Sequence, residues 1–366
     1  MANVDSAEVP PATVVQAQPL AQGATAVRDT VRVRRRPPAM TDVAALAGVS
    51  HQTVSRVLND HPNVSERTKV RVQAAIVQLG YRPNRAAKAL VTGRSHFLGV
   101  VAQTTTLYGP ASMLAAIEHA TGRAGMSVSL ASVPTMDRDE LVAAVERQLN
   151  QGVAGIVVIA PVASAQQAIA GIPPNVPFVV IDGDPELTTD LVTIDQVEGA
   201  RLATQHLLDA GHRTVWHVSG PPDWFDSAGR VTGWRQTLEA AGADVPPPIQ
   251  ADWSASSGYR AGQMLARMSD VTAVFAASDH IALGLLRALH ENGRRVPGDV
   301  SVVGFDDVAE AAYFLPPLTS IRPDFLQAAD RTLALLLARL ADPDKVAERA
   351  VIAPELVPRA SSGAPS

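Results

Sequence analysis

Through residues 97–360, short apolar runs alternate with amphipathic helical stretches, and this alternation limits the possible folds more than any other feature of the chain. Such alternation is typical of parallel strands buried between two layers of helices. About ten strands are more than one such domain of this length holds comfortably, so the pattern predicts two α/β lobes. The predicted strands are 97–102, 127–133, 155–160, 178–182, 192–195, 215–219, 273–278, 300–306 and 318–321.

Residues 40–81 show a different pattern, that of three short helices with a small apolar face. Thr41 is the predicted N-cap of the first helix, and Gly48 allows the positive φ of a tight turn. Ser50 is the predicted cap of the second helix, and Ser65 that of a third helix ending at Gly80. Two helices joined by a short Gly-containing turn form a helix-turn-helix. The outward polar face of the second helix, which suits base edges in a DNA major groove, is His51, Gln52, Thr53, Ser55 and Arg56.

Charge is distributed unevenly along the chain, although the net charge is only −5. Residues 1–30 have a net charge of −2, residues 31–96 of +9 and residues 97–366 of −12. A compact basic block on an acidic body indicates a polyanionic partner for that block. Segment 1–38 lacks helical or strand periodicity and is predicted to be a disordered extension.

The sequence also lacks the features of several other classes of protein. It has no cysteine, which excludes disulfides and thiolate metal sites and fits a reducing cytoplasm. No apolar run is long enough to span a membrane, and the first residues do not form a secretory signal. No nucleophile elbow, phosphate-binding loop, zinc-protease motif or dinucleotide fingerprint is present. We therefore expect no enzyme, no catalytic residues, no metal and no cofactor.

The segment Asp42–Asn59, with Asp-Val-Ala, Ala-Gly-Val-Ser and Thr-Val-Ser-Arg in that order, resembles the lac repressor (LacI/GalR) family of bacterial transcription regulators. The resemblance continues in Val64-Ser65-x-x-Thr68, in Gly80-Tyr-x-Pro-Asn84 and in Pro316-Pro-Leu-Thr, and it covers residues 40–360. It implies an N-terminal all-α helix-turn-helix domain with a hinge helix. It also implies a C-terminal α/β core of two lobes that is similar to the type I periplasmic binding proteins.

The resemblance implies roles for particular residues at the DNA. The residues that would read bases are His51, Gln52 and Arg56. The residues that would lie near phosphates are Ser50, Thr53, Asn59 and Asn63. In the family two hinge helices pair in the minor groove, here through Asn84, Ala87 and Leu90, with Leu90 as a wedge between base steps. The basic, Ala-rich segment itself allows a helix of about two turns, which is marginal unless a partner orders it.

Polar side chains at the ends of the predicted core strands form a candidate ligand site, because ligands of open α/β sheets lie beyond the carboxyl ends of strands. The side chains in question are Asp182, Ser278, Asp279 and Asp306, together with Arg230 at a predicted helix start and Trp253 in a loop. Carboxylates and Arg exchange hydrogen bonds with sugar hydroxyls, and Trp covers an apolar sugar face. Asp279 could instead cap the helix that begins at Ile281. The family resemblance implies the site Leu107, Pro110, Asp182, Arg230, Trp253, Ser278, Asp306 and Phe325.

The predicted organisation follows from these patterns and the resemblance. It consists of the extension 1–38, a DNA-binding domain 39–82, a hinge 83–96, a ligand-binding and dimerisation core 97–360 and a tail 361–366. Within the core, lobe one comprises 97–193 plus 323–350 and lobe two 194–321 plus 351–360. The tail has no leucine heptad, so no heptad-driven tetramer is expected.

The expected function is ligand-responsive regulation of transcription by a homodimer, because one helix-turn-helix domain buries too little surface to hold a specific site. The dimer would repress transcription from a pseudo-palindromic operator in double-stranded DNA. A galactoside-like or other sugar would release it. Three alternatives stay open: an activator, a regulator of the same family that responds to a purine or another metabolite, and a sugar-binding transport protein.

Overall fold

The computed structural model describes residues 36, 38–82, 95–103, 106–184 and 186–365. The chain forms two compact units, Met1–Asn84 and Arg85–Ser366. Most of the predicted extension and the hinge residues Asn84, Ala87 and Leu90 lie outside the described residues. In the part of the chain that the structure describes, no helix has the length and apolar character needed to cross a bilayer.

The first unit is a helix-turn-helix, as predicted. Its helices are α1 (Met40–Ala47), α2 (His51–Leu58) and α3 (Glu66–Leu79). Gly48 joins α1 to α2 with a φ of 62°, a left-handed conformation that glycine adopts without strain. Val43, Val54 and Val72, one from each helix, are fully buried, and Tyr81 packs in the same cluster. The core of this unit is therefore small, and most polar side chains of α2 are left outside it.

The predicted cap of α1 was wrong. The helix begins at Met40, so Thr41 lies within its first turn and Ala39 occupies the N-cap position. The Asp42 carboxylate accepts a hydrogen bond from the Ala39 N–H at 2.8 Å. An acidic side chain in the first turn also interacts favourably with the helix dipole, so Asp42 satisfies the helix start that Thr41 was expected to satisfy.

The two other predicted caps differ in outcome. Ser50 caps α2 as expected, because its hydroxyl accepts a hydrogen bond from the Thr53 N–H at 3.2 Å. Ser65 does precede α3, but its side chain makes no capping hydrogen bond. Its hydroxyl pairs instead with the Thr68 hydroxyl at 2.9 Å. The position of the helix start was thus predicted correctly, but the capping bond was not.

The second unit contains two six-stranded sheets. Its strands are β1 (Phe97–Gln103), β2 (Ser127–Val133), β3 (Ile156–Ile159), β4 (Phe178–Ile181), β5 (Leu191–Ile194), β6 (Trp216–Ser219), β7 (Ile249–Gln250), β8 (Ala273–Ala276), β9 (Ser301–Phe305), β10 (Thr319–Arg322), β11 (Arg349–Ile352) and β12 (Glu355–Val357). The first sheet has the order β11-β5-β4-β3-β1-β2 and is parallel throughout. The second has the order β12-β10-β9-β8-β6-β7 and is parallel except for β12.

Helices cover both sheets, which explains why the central strands are apolar on both faces. The helices are α4 (Tyr108–Arg123), α5 (Arg138–Asn150), α6 (Ala165–Ile169), α7 (Gln196–Asp209), α8 (Phe225–Ala240), α9 (Ala255–Leu265), α10 (Asp279–Glu291) and α11 (Phe325–Ala341). Every residue of β3, β8 and β9 is buried. Parallel strands buried in this way read as continuous apolar runs. The prediction of two α/β lobes is therefore confirmed.

The chain crosses between the two lobes three times. It leaves the first sheet after β5, and α7 packs on the second sheet through Ala200, Ala203 and Leu207. It returns after β10, and α11 packs on the first sheet. It crosses again between β11 and β12. The predicted crossing between 350 and 351 falls inside β11, which pairs with β5 as far as Ile352, so the crossing follows Ile352.

The last residues are part of lobe two, although a separate tail was predicted for 361–366. Ser361 is fully buried, and its hydroxyl donates to the Val302 carbonyl at 2.6 Å. The same hydroxyl accepts from the Thr319 N–H at 2.8 Å, and the Gly363 N–H donates to the Ser301 hydroxyl at 3.0 Å. These small side chains fit against strand ends that larger ones could not approach.

Candidate functional sites

In the first unit, α2 presents the polar face that the sequence predicts. His51, Gln52 and Arg56 are exposed, Thr53 is half-buried, and Val54 is completely buried. The helical period explains the exposure of Gln52 and Arg56, because each is two positions from the buried Val54 and so lies on the opposite side of the helix. His51 is exposed as the first residue of α2. The exposed side chains include donors and acceptors that match base edges in a major groove.

Of the residues predicted near phosphates, Ser50 and Asn59 cap the two ends of α2, Thr53 lies in its first turn, and Asn63 lies between α2 and α3. Ser50 and Asn63 are exposed, and so is Asn59. The Asn59 amide donates to the Ser55 carbonyl at 2.9 Å, so one of its donors already satisfies the end of the helix. Sequence reasoning missed Arg71, whose guanidinium donates to the carbonyls of Ala47 and of Gly48, the latter at 3.2 Å. Arg71 thereby fixes the turn that orients α2.

In the second unit, one cavity between the lobes is lined by all eight residues of the predicted ligand site. Lobe one supplies Leu107, Pro110, Asp182 and Phe325. Lobe two supplies Arg230, Trp253, Ser278 and Asp306. Asp182 directly follows β4 and Asp306 directly follows β9, so both carboxylates lie at the carboxyl ends of strands. Asp182, Trp253 and Asp306 all have a positive φ, a strained backbone conformation that recurs at binding sites.

The Arg230 guanidinium is the centre of the polar side of this cleft. It is 4% exposed and lies in the second turn of α8, which begins at Phe225, so Arg230 does not open the helix as predicted. Its Nε donates to the Gln196 side-chain oxygen at 2.9 Å, and its Nη1 donates to the Ala277 carbonyl. Its Nη2 lies 3.7 Å from the Asp226 carboxylate and 3.9 Å from that of Asp306. One cation therefore serves several acceptors.

Burial raises the pKa values of the cleft carboxyl groups. For Asp182, burial and the nearby Asp226 charge raise the pKa to about 8. For Asp306, burial raises the pKa to about 7, although Arg230 opposes the shift. Burial also raises the pKa of Asp226, and again Arg230 opposes it. The free cleft therefore holds protons near neutral pH that exposed carboxylates would have lost.

Aromatic rings form the other side of the cleft. Trp253 is 8% exposed, and its indole N–H has no acceptor among the described residues. Its ring packs edge-on against Trp224, with centroids 5.7 Å apart and an angle of 70° between the planes. Tyr108 and Phe325 form a second edge-on pair, 6.2 Å apart. Flat apolar walls beside charged groups match the two kinds of surface of a sugar ring.

The residue that caps α10 is Ser278 and not Asp279. Ser278 is the N-cap of α10, and its hydroxyl accepts from the Ile281 N–H at 3.2 Å. Asp279 does not cap this helix. Its carboxylate is fully buried, accepts from the Val308 N–H at 2.8 Å and accepts from the Ser320 hydroxyl at 2.6 Å. Asp279 thus ties β10 and the loop after β9 to α10, while Ser278 faces the cleft.

Several other residues that line the cleft were not predicted. Those with polar or aromatic side chains are Tyr108, Gln196, Trp224, Asp226 and His280. Two of them could have been identified as candidate cleft residues from the sequence. Gln196 comes directly after the Asp195 that ends a predicted strand, and Asp226 precedes Arg230 by four residues, the spacing of an ion pair on one helix face. Among the described residues, no group of three or more His, Asp or Glu side chains is arranged to hold a metal ion.

A short backbone bridge joins the two lobes at one edge of the cleft. The Ala163 N–H donates to the Asp223 carbonyl and the Phe225 N–H donates to the Pro161 carbonyl, both at 2.9 Å. Between these bonds, the Trp224 ring packs against apolar clusters of both lobes. Residues that hold the two lobes together, such as Trp224, therefore also form part of the cleft wall.

Comparison with known proteins covers both units. Residues 39–84 match the model for bacterial regulatory proteins of the lacI family, and residues 204–362 match that for a periplasmic binding protein-like domain. The lactose operon repressor of Escherichia coli (strain K12) is 34% identical over 334 residues, which are 90% of this chain and 92% of the repressor. A crystal structure of the lac repressor dimer bound to operator and the anti-inducer ONPF has a TM-score of 0.79 and 32% identity, covering 90% of this chain and 100% of that chain. A structure of the transcriptional regulator CelR with cellobiose has a TM-score of 0.66 and 33% identity, covering 88% and 99%.

Proposed function

Because the chain belongs to the lacI family of bacterial regulatory proteins and is therefore a DNA-binding regulator of transcription, we propose that it is a repressor whose operator affinity is controlled by a sugar. One observation carries the proposal. The same chain has an exposed polar face on α2 and a cleft in which carboxylates, a guanidinium and tryptophan rings converge. A polar helix face suits base edges, and a cleft of this composition suits a saccharide.

At the operator, α2 lies in the major groove. Gln52 can bind adenine with two hydrogen bonds and Arg56 can bind guanine in the same way, while His51 contacts a neighbouring base. Ser50, Thr53, Asn59 and Asn63 hold the domain in register through phosphates. Because chromosomal DNA is the target, the protein acts in the cytoplasm.

Two copies bind one pseudo-palindromic site, because a single α2 reaches too few bases for specific recognition. Lobe two offers a surface for the second copy, since Tyr313, at the end of the 3-10 helix Ala309–Tyr313, and Leu315, just after it, are 84% and 91% exposed. The lac repressor, which resembles this chain, binds operator as a dimer. Residues 83–96 link each DNA-binding domain to its core, and Leu90 of each copy inserts between base steps.

In the cleft, sugar hydroxyls donate to the carboxylates of Asp182 and Asp306, and the apolar face of the sugar ring lies on Trp253. The Ser278 hydroxyl accepts from the Ile281 N–H and keeps its own proton for a ligand oxygen. Leu107, Pro110 and Phe325 cover the apolar edge of the ligand. Cellobiose bound to the related CelR supports a saccharide as the class of effector.

The sugar changes operator affinity only if it binds one lobe arrangement more tightly than another. The cleft can bind a sugar with different affinity in different lobe arrangements, because its ligand-contacting groups come from both lobes. A sugar that fixes the lobes in the arrangement unsuited to DNA lowers operator affinity. The coupling passes through the three crossings and the hinge.

The proposal is tested with an operator selected from a random duplex pool and fluorescence anisotropy of the full chain. Cellobiose, lactose, galactose, glucose and ribose are titrated into the complex, together with hypoxanthine and guanine. We expect one neutral sugar to release the operator from wild-type protein but not from Trp253→Ala, which should still bind DNA. If no sugar changes operator affinity, or if a purine increases it, the sugar-inducer proposal is wrong.

A further inference from the structure

We propose that the cleft accepts only saccharides without an acidic group, whether neutral or amine-bearing, and that Asp226 is the residue that enforces this selectivity. The inference rests on the proposed function and narrows the class of effector. It concerns a side chain that was not among the expected ligand contacts and that lines the cavity from the first turn of α8.

The charged groups that line the cleft are unbalanced. Three carboxylates, those of Asp182, Asp226 and Asp306, face the single guanidinium of Arg230. Among the described residues, Asp182 has no ion-pair partner, and its carboxylate accepts a long hydrogen bond of 3.4 Å from the Ile194 N–H. The Thr193 hydroxyl nearby donates to the Ile194 carbonyl at 3.1 Å. The lining thus has two more acidic groups than guanidinium groups, and it gains the corresponding negative charge as pH rises through the raised pKa values of Asp182 and Asp306. An enclosed site with this excess attracts donors and cations and repels anions.

Arg230, the one Arg or Lys among the described residues that line the cleft, is poorly available to an acidic ligand. Arg230 donates to Gln196 and to the Ala277 carbonyl, and its remaining nitrogen lies near two carboxylates. One face of its guanidinium is covered by Phe305, whose ring centroid lies 3.7 Å from the guanidinium carbon. A phosphate or carboxylate usually binds Arg through two parallel N–H groups. Here Nε and Nη1 already donate to protein acceptors, and an anion approaching Nη2 would meet the carboxylates of Asp226 and Asp306 at 3.7 and 3.9 Å from it.

Asp226 adds the charge that makes the imbalance large. Its side chain is 18% exposed and lies 3.7 Å from Arg230, and it makes no hydrogen bond to another described residue. Its negative charge acts on both other carboxyl groups, because it contributes to the raised pKa of Asp182 and to that of Asp306. Asp226 therefore lines the cavity and affects a carboxyl group of each lobe, Asp182 of lobe one and Asp306 of lobe two. It makes no capping hydrogen bond at the start of α8, and its contribution to the helix is limited to the interaction of an acidic first-turn side chain with the helix dipole.

An acidic group in the cleft would meet this surplus at close range. With an effective dielectric constant near 20, like charges about 6 Å apart repel strongly enough to weaken binding more than about tenfold. A neutral sugar avoids that repulsion and supplies hydroxyl donors to the carboxylates. The indole N–H of Trp253, which has no acceptor among the described residues, can bind one of its oxygens.

The test uses matched saccharides on the full chain. Binding of cellobiose, of its aldonic acid and of its 6-phosphate is measured by calorimetry at about pH 8.5, above the raised pKa values of Asp182 and Asp306. The same is done for glucose, glucosamine, glucuronate and glucose 6-phosphate. We expect each acidic compound to bind at least about tenfold more weakly than its neutral partner. In Asp226→Asn this ratio should fall severalfold. In Asp244→Asn, which removes the same charge from an exposed side chain of lobe two, the ratio should not change.

Two results would overturn the inference. An acidic saccharide that binds wild-type protein as tightly as its neutral partner would do so, whatever the variants show. An unchanged ratio in a folded Asp226→Asn protein, verified by its melting temperature, would show that another group sets the selectivity. If no compound of any charge binds, the proposed sugar response itself fails, and the inference fails with it.

Discussion

Asp182→Asn is expected to stabilise the free protein and weaken its binding of sugar. The Asn side chain has the same shape and keeps an oxygen that can accept from the Ile194 N–H, a hydrogen bond of 3.4 Å in the structure. It removes, however, a carboxyl group that lies in the cleft beside Asp226 without an ion-pair partner among the described residues. Residues adapted for ligand binding often cost stability in this way.

The size of the effect follows from the pKa of this carboxyl group. Burial and Asp226 raise the pKa of Asp182 from 3.8 to about 8. At pH 7 the folded protein therefore retains a proton that the unfolded chain releases, and one pKa unit corresponds to about 1.4 kcal/mol. The unfolded pKa of 3.8 lies about three units below pH 7, so the upper limit on the gain in the free energy of unfolding is roughly 4 kcal/mol. Solvent reaches this half-buried side chain, so we expect about 2 kcal/mol, or a melting temperature about 4 °C higher for the variant.

The sign of the pH dependence makes the prediction specific. Because the folded pKa lies above the unfolded one, the folded protein binds more protons between pH 4 and 8, and its stability falls as pH rises through that range. Asp182→Asn removes this contribution. In calorimetric scans the melting temperatures of variant and wild type should therefore coincide near pH 4 and diverge towards pH 8.

Asp190→Asn is the matched control, and it should have the opposite effect. Asp190 is fully buried, but its carboxylate accepts from the Arg339 guanidinium at 2.9–3.0 Å and from the Glu348 N–H at 2.8 Å. Breaking a buried pair leaves an uncompensated charge and costs about 3 kcal/mol or more. The account of the cleft is refuted if Asp182→Asn lowers the melting temperature at pH 8, or raises it equally at every pH.

Three further predictions concern DNA binding and the ligand. Arg56→Ala should cost about 1–3 kcal/mol of operator affinity and relax specificity at one base pair in anisotropy titrations, whereas equal weakening on all sequences would make Arg56 a phosphate contact. Leu90→Ala should reduce DNA bending in a gel-phasing assay without changing the melting temperature of the core, and an unchanged bend would exclude the wedge. Affinity for a neutral sugar should increase as pH rises from 6 to 8, because hydroxyls donate to ionised Asp182 and Asp306, whose pKa values are raised to about 8 and about 7. Calorimetry in buffers of different ionisation enthalpy should then detect proton release on binding, and proton uptake would contradict this.

The parts of the protein that could be predicted from its sequence are those that depend on local periodicity. The alternating runs determine two parallel sheets because buried strands must be apolar on both faces. The ends of two such runs mark Asp182 and Asp306 as cleft residues because parallel strands end at one edge of a sheet. The small apolar positions of residues 40–81 likewise leave only one arrangement of α1 and α2.

What could not be predicted depends on packing between segments distant in sequence. Trp224 and Asp226 line the cleft only because lobe one meets the start of α8 through a backbone bridge, which no local pattern encodes. Asp279 was predicted either to face the cleft or to cap α10, but the Val308 N–H and the Ser320 hydroxyl, from segments distant in sequence, bind its carboxylate instead. Ser361 was expected in a tail, and it is buried because small side chains can fit between β9 and β10.

The central claim is that a ligand in the cleft and DNA on α2 influence each other through the chain. Thermodynamic linkage makes this influence reciprocal, so the direct test is the affinity of the sugar measured with and without saturating operator. The account predicts that operator weakens sugar binding by the same factor by which sugar weakens operator binding, about 5- to 150-fold. Equal sugar affinity with and without operator would contradict it, because the cleft and the DNA-binding domain would then be independent.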